Sequence, residues 1–331
     1  MRLRSIGFAL PERAVASDEI ARWSGLEDKF IAEKIGISSR RFLGEDERPV
    51  DLARRACEDL VRRAPELDLR KVGLLVLVTQ NPDYKIPHSS ALLQHALGLQ
   101  NGTGCFDINL GCSGYVYALS AVKGLMLSEG ISDALLVTCD PYSRIMGRAD
   151  RDTIALFGDA ATATWVSAEN GAEIGRLDWG TDGAGAEHLM VPRGGSARPL
   201  SYVDKESPEA ADPVELRLHM NGRGIFNFMI QRLPGTLKAC LEKNGLKDEA
   251  VDYYVLHQAS RFMLQTLGTR LRIPAEKMPM NLERVGNTVS SSIPLLLAEL
   301  GEGGALRGKT VLISGFGVGL SWASNILKFE A

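Results

Sequence analysis

Leu74-Leu75-Val76-Leu77-Val78-Thr79-Gln80 in the first half of the chain has a counterpart in the second, Asp252-Tyr253-Tyr254-Val255-Leu256-His257-Gln258. Each is a short apolar run ended by a polar pair, and each is followed by a helical pattern. Runs of this length, rich in β-branched, aliphatic and aromatic residues, read as strands buried on both faces, as in a parallel sheet covered by helices.

The two copies sit in similar surroundings. Before the first, Leu52, Ala53, Ala56, Leu60 and Val61 recur at helical spacing over residues 51–64. After it come a helix over 89–99, a strand over 104–110, a long helix over 113–130 and a buried strand over 134–138. The second copy lies between helices over 224–244 and 260–270. A helix over 288–300, a strand over 310–314, a glycine cluster and a last strand over 320–328 follow. Residues 113–140 and 288–315 thus share the order helix, glycine-containing turn, strand. Small residues and Thr around Phe157-Gly158-Asp159 predict a close-packed strand and turn, and residues 181–215, rich in Gly, Pro, Ser and acids, predict a long excursion. The reading is an α/β chain of two βα halves, residues 1–175 and 176–331, with sheets packed back to back and a site between the halves.

Composition narrows the function. The 331 residues are 45% hydrophobic and 24% charged, with a formal net charge of −3, so no global field attracts nucleic acid or an anionic membrane. No apolar run reaches the length of a membrane span, and the apolar stretch after Met1 stops at Pro11, a poor signal peptide. Five cysteines without paired CxxC spacing argue against a disulfide framework or a zinc site, and fit reduced thiols in the cytoplasm. No cofactor is expected.

Four stretches carry chemistry. In Phe106-Asp107-Ile108-Asn109-Leu110-Gly111-Cys112-Ser113-Gly114-Tyr115 a strand runs into a Gly-flanked cysteine and directly into a helix. Unpaired N–H groups and the helix dipole at such a start favour thiolate and can hold an oxyanion; a small buried cysteine in a tight turn is the structural alternative. His257 ends a buried strand, where α/β sheets bind ligands, or is a hydrogen-bonded core histidine. Asn287, in Gly286-Asn287-Thr288, opens a helix and by itself reads as a cap. Ser314-Gly315-Phe316-Gly317-Val318-Gly319-Leu320-Ser321 lacks the spacing of a dinucleotide fingerprint and reads as a tight hairpin.

In this order, Cys112, His257, Asn287 and the glycine turn resemble the thiolase superfamily, and more narrowly its β-ketoacyl-acyl-carrier-protein synthase III branch. The resemblance extends to Ile35-Gly36-Ile37 with Arg40-Arg41, to residues 153–160 and to 220–226. It implies a thiolase fold, a five-layered αβαβα sandwich. It implies that Cys112 accepts an acyl group from an acyl-CoA or acyl-carrier-protein thioester, with the N–H groups of Cys112 and Gly319 as oxyanion hole. His257 and Asn287 would then bind a malonyl thioester, on a carrier protein, and stabilise the enolate left by decarboxylation, which attacks the acyl-cysteine to give a β-ketoacyl thioester. It further implies a homodimer in which Ile86 enters the partner's acyl pocket, and a nucleotide grip on coenzyme A from Phe30, Lys34 and Arg151. Phe30 and Lys34 stand where the family usually has Trp and Arg, which weakens that grip. Phe262 stands where it has a carrier-docking Arg, which falls one place earlier at Arg261. A non-decarboxylating acyltransferase, passing the acyl group to an alcohol or amine, is the nearest alternative. A non-catalytic partner subunit is a more distant one, because such subunits lose the nucleophile.

Overall fold

In a computed structural model, residues 1–199 and 214–331 are described. Ten strands form the main sheet: β1 Arg2–Ala9, β2 Val72–Val78, β3 Gly104–Ile108, β4 Asp133–Cys139, β5 Ala161–Ser167, β6 Ala172–Ile174, β7 Asp178–Thr181, β8 Tyr253–Leu256, β9 Thr310–Gly317 and β10 Ser321–Lys328. Among the described residues, six helices cover or separate them: α1 Pro49–Arg63, α2 Ser89–Ala96, α3 Gly114–Glu129, α4 Gly222–Lys243, α5 Arg261–Leu271 and α6 Ser292–Glu302.

The pairing repeats. β1 is antiparallel to β5, β5 to β4, and β4 is parallel to β2, with β3 beyond it at the edge. In the same sense, β7 is antiparallel to β10, β10 to β9, and β9 is parallel to β8. Back-to-back packing suggested two separate sheets. Here the three-residue β6 pairs with both β1 and β10, and so joins the two sets into one hydrogen-bonded network.

Side-chain alternation builds the layers, since successive residues of a strand point to opposite faces. Leu74, Val76 and Val78 of β2 face a core shared with Tyr115, Leu119 and Val122 of α3 and Ile293, Leu296 and Leu297 of α6. Val311 and Ile313 of β9 enter that same core from the other side. Leu75 and Leu77 face outward to Leu52, Ala56 and Leu60 of α1. Leu312 faces outward to a core holding Met229, Leu233 and Leu237 of α4 and Leu264 and Leu267 of α5. The order is helices, strands, central helices, strands, helices: the αβαβα sandwich. Because α3 and α6 are covered on both sides, they are apolar nearly all round, and their amphipathic signal is weak.

Three expectations need adjusting. The helix expected from Thr288 begins at Ser292, after a single 3₁₀ turn over Val289–Ser291. The hairpin expected at the glycine cluster is there, but β9 runs on to Gly317, so two of the glycines lie inside a strand. Of the 181–215 excursion, the described part holds a 3₁₀ segment, Gly183–His188, a two-residue pairing of Leu189–Met190 with His219–Met220, and the start of a 3₁₀ turn, Val214–Leu216; residues 200–213 lie outside the described residues.

Candidate active site

The elbow between β3 and α3 presents Cys112. The Gly114 N–H bonds the Gly111 carbonyl at 2.7 Å, and the Ser113 hydroxyl meets that of Ser321 at 2.7 Å, tying the elbow to the β9–β10 hairpin. The strands approach too closely for side chains here. A Cβ on Gly317, at φ 156°, would stand 2.8 Å from the Cys112 sulfur, and one on Gly111 would stand 2.4 Å from Gln80 Oε1.

The helix-start reading predicted a thiol biased toward thiolate. Instead, burial pushes the Cys112 thiol up to about 12, and the nearby Asp140 carboxylate adds to the rise. The Val318 and Cys112 backbone N–H groups oppose it. The correction follows from solvation: at the floor of a cavity the cost of desolvating a thiolate outweighs two N–H dipoles. The hairpin N–H directed at the sulfur is that of Val318, one residue before Gly319, whose N–H the resemblance implied as an oxyanion donor. Gly317 takes the close approach to the sulfur, so the next N–H along the chain is the one within reach.

His257 follows β8, with its backbone N–H bonded to the Ser314 carbonyl at 2.8 Å. Its Nδ1 lies 2.7 Å from Ser292 Oγ, and the Ser292 hydroxyl donates to the Val289 carbonyl at 2.9 Å. A hydroxyl has one proton to donate. With that proton on Val289, Ser292 accepts from Nδ1–H, and the lone pair of the imidazole falls on Nε2. Burial lowers the His257 pKa to about 3, so the ring is neutral. The resting imidazole is thus an acceptor at Nε2.

Asn287 is held by backbone bonds to two neighbours: its N–H donates to Leu156 at 2.9 Å, and its carbonyl accepts from Gly158 at 3.0 Å. Its side-chain Oδ1 accepts from the Val289 N–H at 2.9 Å. That bond assigns the amide orientation and leaves Nδ2 as a donor. Val289 therefore serves both polar side chains, its N–H orienting Asn287 and its carbonyl orienting His257 through Ser292. It does so at φ 53°, a strained conformation for a β-branched residue.

Cys112, His257 and Asn287 line one cavity of about 360 Å³, whose other walls include Leu156, Phe157, Leu189, Phe226, Met263 and Phe316. The walls are apolar, so the few polar groups act in a poorly screened environment. Behind the sulfur, the fully buried Asp140 accepts from the Gln80 N–H at 2.6 Å and from the Ser290 hydroxyl. Burial raises its carboxyl to about 6. Tyr142 packs on Phe157 at 4.9 Å between centroids and donates to Gln80 Oε1 at 2.7 Å.

The remaining predicted residues divide. Phe30, 47% exposed, and Arg151 line a neighbouring groove of about 660 Å³ that shares Leu156 with the cavity. Lys34, on the same short helical segment as Phe30, is exposed but outside that lining. Ile86 is 86% exposed and does not line the cavity. Phe262 is 51% exposed and stacks on Phe226 at 5.6 Å in the cavity wall. Arg261 instead pairs with Glu283 at 2.9 Å. No cluster of three metal-ligating side chains occurs among the described residues, and no helix there is long and apolar enough to cross a membrane.

Sequence reasoning missed Val318, Asp140, Ser292 and Tyr142. Ser292 alone carried a signal, as the last of three serines before an apolar helix. The others act through tertiary neighbours.

Two family profiles match the chain: 3-oxoacyl-acyl-carrier-protein synthase III over residues 106–183, and the C-terminal region of that enzyme over 241–329. Beta-ketoacyl-(acyl-carrier-protein) synthase III of Syntrophomonas wolfei is 35% identical, over 99% of this chain and 97% of its own. An acetoacetyl CoA synthase, NphT7, of a Streptomyces species is 34% identical, over 99% and 98%. A crystal structure of a 3-oxoacyl-(acyl-carrier-protein) synthase III superposes with a TM-score of 0.93 at 38% identity, covering 99% of both chains.

Proposed function

The chain belongs to the 3-oxoacyl-acyl-carrier-protein synthase III family, and on that premise we propose that Cys112, His257 and Asn287 carry out its chemistry. The enzyme is an acyltransferase that joins an acyl thioester to a malonyl thioester by decarboxylative Claisen condensation, giving a β-ketoacyl thioester.

In the first step Cys112 transfers its proton to Nε2 of His257 as the sulfur attacks the thioester carbonyl. The Val318 and Cys112 N–H groups receive the developing oxyanion, and the proton leaves with the departing thiol. A thiol raised to about 12 beside an imidazole lowered to about 3 makes a standing ion pair unfavourable. Proton transfer therefore accompanies attack rather than preceding it. In the second step the malonyl thioester oxygen takes a hydrogen bond from Asn287 Nδ2. His257 joins as donor once its proton sits on Nε2, a tautomer the Ser292 hydroxyl supports by turning from the Val289 carbonyl to Nδ1. Donors preorganised in an apolar cavity stabilise the enolate far better than water would. Phe30 and Arg151 would receive the nucleotide of a coenzyme A donor, and Lys34 would reach it only from outside the groove.

We also propose that the chain consists of two units, 1–175 and 176–331, a division supported by the repeated strand pairing. Homodimerisation is supported by the outer edge of β3, at the end of the sheet and unpaired among the described residues, and by the protruding Ile86. Free thiols at all five cysteines support a reducing, cytoplasmic setting.

The observation that carries the reading is the meeting of a buried thiol, a neutral imidazole and an oriented amide in one apolar cavity. Intact-mass measurement after incubation with acyl thioesters, followed by carbon dioxide release on adding a malonyl thioester, tests it. Wild type should gain one acyl group and then release carbon dioxide, and Cys112→Ala should gain none. Robust acylation of Cys112→Ala would overturn the assignment. Loading without carbon dioxide release from any malonyl donor would favour the non-decarboxylating transferase.

A further inference from the structure

The chemistry above leaves one fully buried carboxylate unused. Asp140 has no ion-pair partner among the described residues. Burying a carboxylate without a cation is costly unless hydrogen bonds replace its water. Two do: one oxygen accepts from the Gln80 N–H at 2.6 Å, and the other accepts from the Ser290 hydroxyl. A carboxylate is acceptor-only, and its bond to a hydroxyl is charge-assisted, about twice as strong as a neutral one.

Ser290 is the residue after Val289. The Val289 N–H orients the Asn287 amide, and its carbonyl orients His257 through Ser292, all at φ 53°. A β-branched residue leaves that conformation unless its surroundings hold it there. The next residue is gripped as well. The Ser291 hydroxyl donates to the Ala160 carbonyl at 3.0 Å and lies 2.7 Å from Thr138 Oγ1. These grips come from the ends of two strands: Thr138 lies in β4, Asp140 just beyond it, and Ala160 just before β5. Ser290 and Asp140 are 150 residues apart in sequence. In the buried run Ser290-Ser291-Ser292, two hydroxyls therefore anchor the turn to the sheet and the third reaches His257.

We propose that Asp140 and Ser290 are positioning residues for condensation: their hydrogen bond clamps the Val289 turn, and the turn fixes where Asn287 and His257 present their donors. Neither residue lines the cavity, so neither touches the reacting thioesters. The assignment rests on the condensation reading above and deepens it. Ser291 supplies a second grip, so loss of the first loosens the turn without unfolding it.

The test uses wild type, Ser290→Ala, Asp140→Asn, Asn287→Ala and the double variant Ser290→Ala with Asn287→Ala. Loading is followed by intact mass in a single turnover, and condensation by carbon dioxide release on adding a malonyl thioester to pre-acylated enzyme. Acylated Cys112 has no proton to lose, so removing the charge at Asp140 does not disturb the second measurement through the thiol. Misplacement by about 1 Å costs up to about 10²-fold, so Ser290→Ala should condense about 10–100-fold more slowly while loading within about fivefold of wild type. Asp140→Asn keeps the link with donor and acceptor exchanged, Nδ2 to Ser290 Oγ, and should condense faster than Ser290→Ala. The double variant should lose less than the product of the two single losses, because both act on one amide. Condensation in Ser290→Ala within about threefold of wild type overturns the proposal. So does a loss shared equally by loading, which marks a general structural role, an Asp140→Asn no faster than Ser290→Ala, or a double loss equal to the product. Absence of carbon dioxide release from acylated wild type would instead refute the condensation reading itself.

Discussion

Replacing Asn287 by Ala should separate condensation from loading. The substitution removes one donor, Nδ2, from the cavity and leaves the sulfur, the Val318 and Cys112 N–H groups and His257 in place. Loading needs only those, so the acyl group should appear on Cys112 at a rate within about tenfold of wild type. Condensation builds charge on an oxygen facing Nδ2, and losing one preorganised donor costs about 10²–10³-fold. The structure also predicts a side effect. Asn287 Oδ1 accepts the Val289 N–H at 2.9 Å, and deleting it orphans a buried donor, at a cost of about 1–3 kcal/mol in stability. Domains typically hold about 5–15 kcal/mol, so the variant still folds. Asn287→Asp supplies the control, because its carboxylate can still accept from Val289 but cannot donate. It should fail to recover condensation. The assay is mass-detected loading in a single turnover, then carbon dioxide release from a malonyl thioester added to pre-acylated enzyme, with urea denaturation alongside. If Asn287→Ala condenses within about threefold of wild type, or Asn287→Asp restores the rate, the amide is not the enolate donor.

His257 is neutral when folded, with a pKa lowered to about 3 by burial, and ordinary when unfolded, near 6.5. Between those values the unfolded chain binds the extra proton, so this residue's contribution to stability is full above about pH 6.5 and is lost as pH falls toward 3. His257→Gln should therefore lose roughly 3 kcal/mol less than wild type between about pH 7 and pH 4 in urea titrations; parallel profiles would contradict a neutral buried ring. Light scattering at micromolar concentration should give about twice 35.9 kDa, and a fully active monomer would refute the role given to the β3 edge and Ile86.

Much of this was legible in order along the chain. Strands and helices announced themselves because burial on both faces demands continuous apolar runs, as at Leu74–Val78. Gly111 and Gly114 flagged Cys112 because an abrupt strand-to-helix elbow needs small neighbours. Asn287 was harder to read. Locally it is a cap-like residue, and its oriented amide depends on Val289, on the Leu156 carbonyl and on the Gly158 N–H, more than a hundred residues away in sequence. The layer arrangement of α3 and α6 was also concealed, since a helix buried on every side loses the periodicity that says which way it faces.

The sequence by itself determined the α/β alternation, the repeated order of its elements, the candidate nucleophile and the order of its proposed partners, because these rest on local composition and on spacing that folding does not alter. Only the tertiary structure decided the protonation state of the thiol, the tautomer of His257, the N–H directed at the sulfur and the neighbours of Phe262. Each of these is set by which atoms from distant segments end up within a few ångströms, and by how much water they displace. Desolvation and hydrogen-bond geometry are properties of that assembly, so a cysteine that reads as a helix-start thiolate becomes, once buried beneath an apolar cavity, a protonated thiol that needs a base.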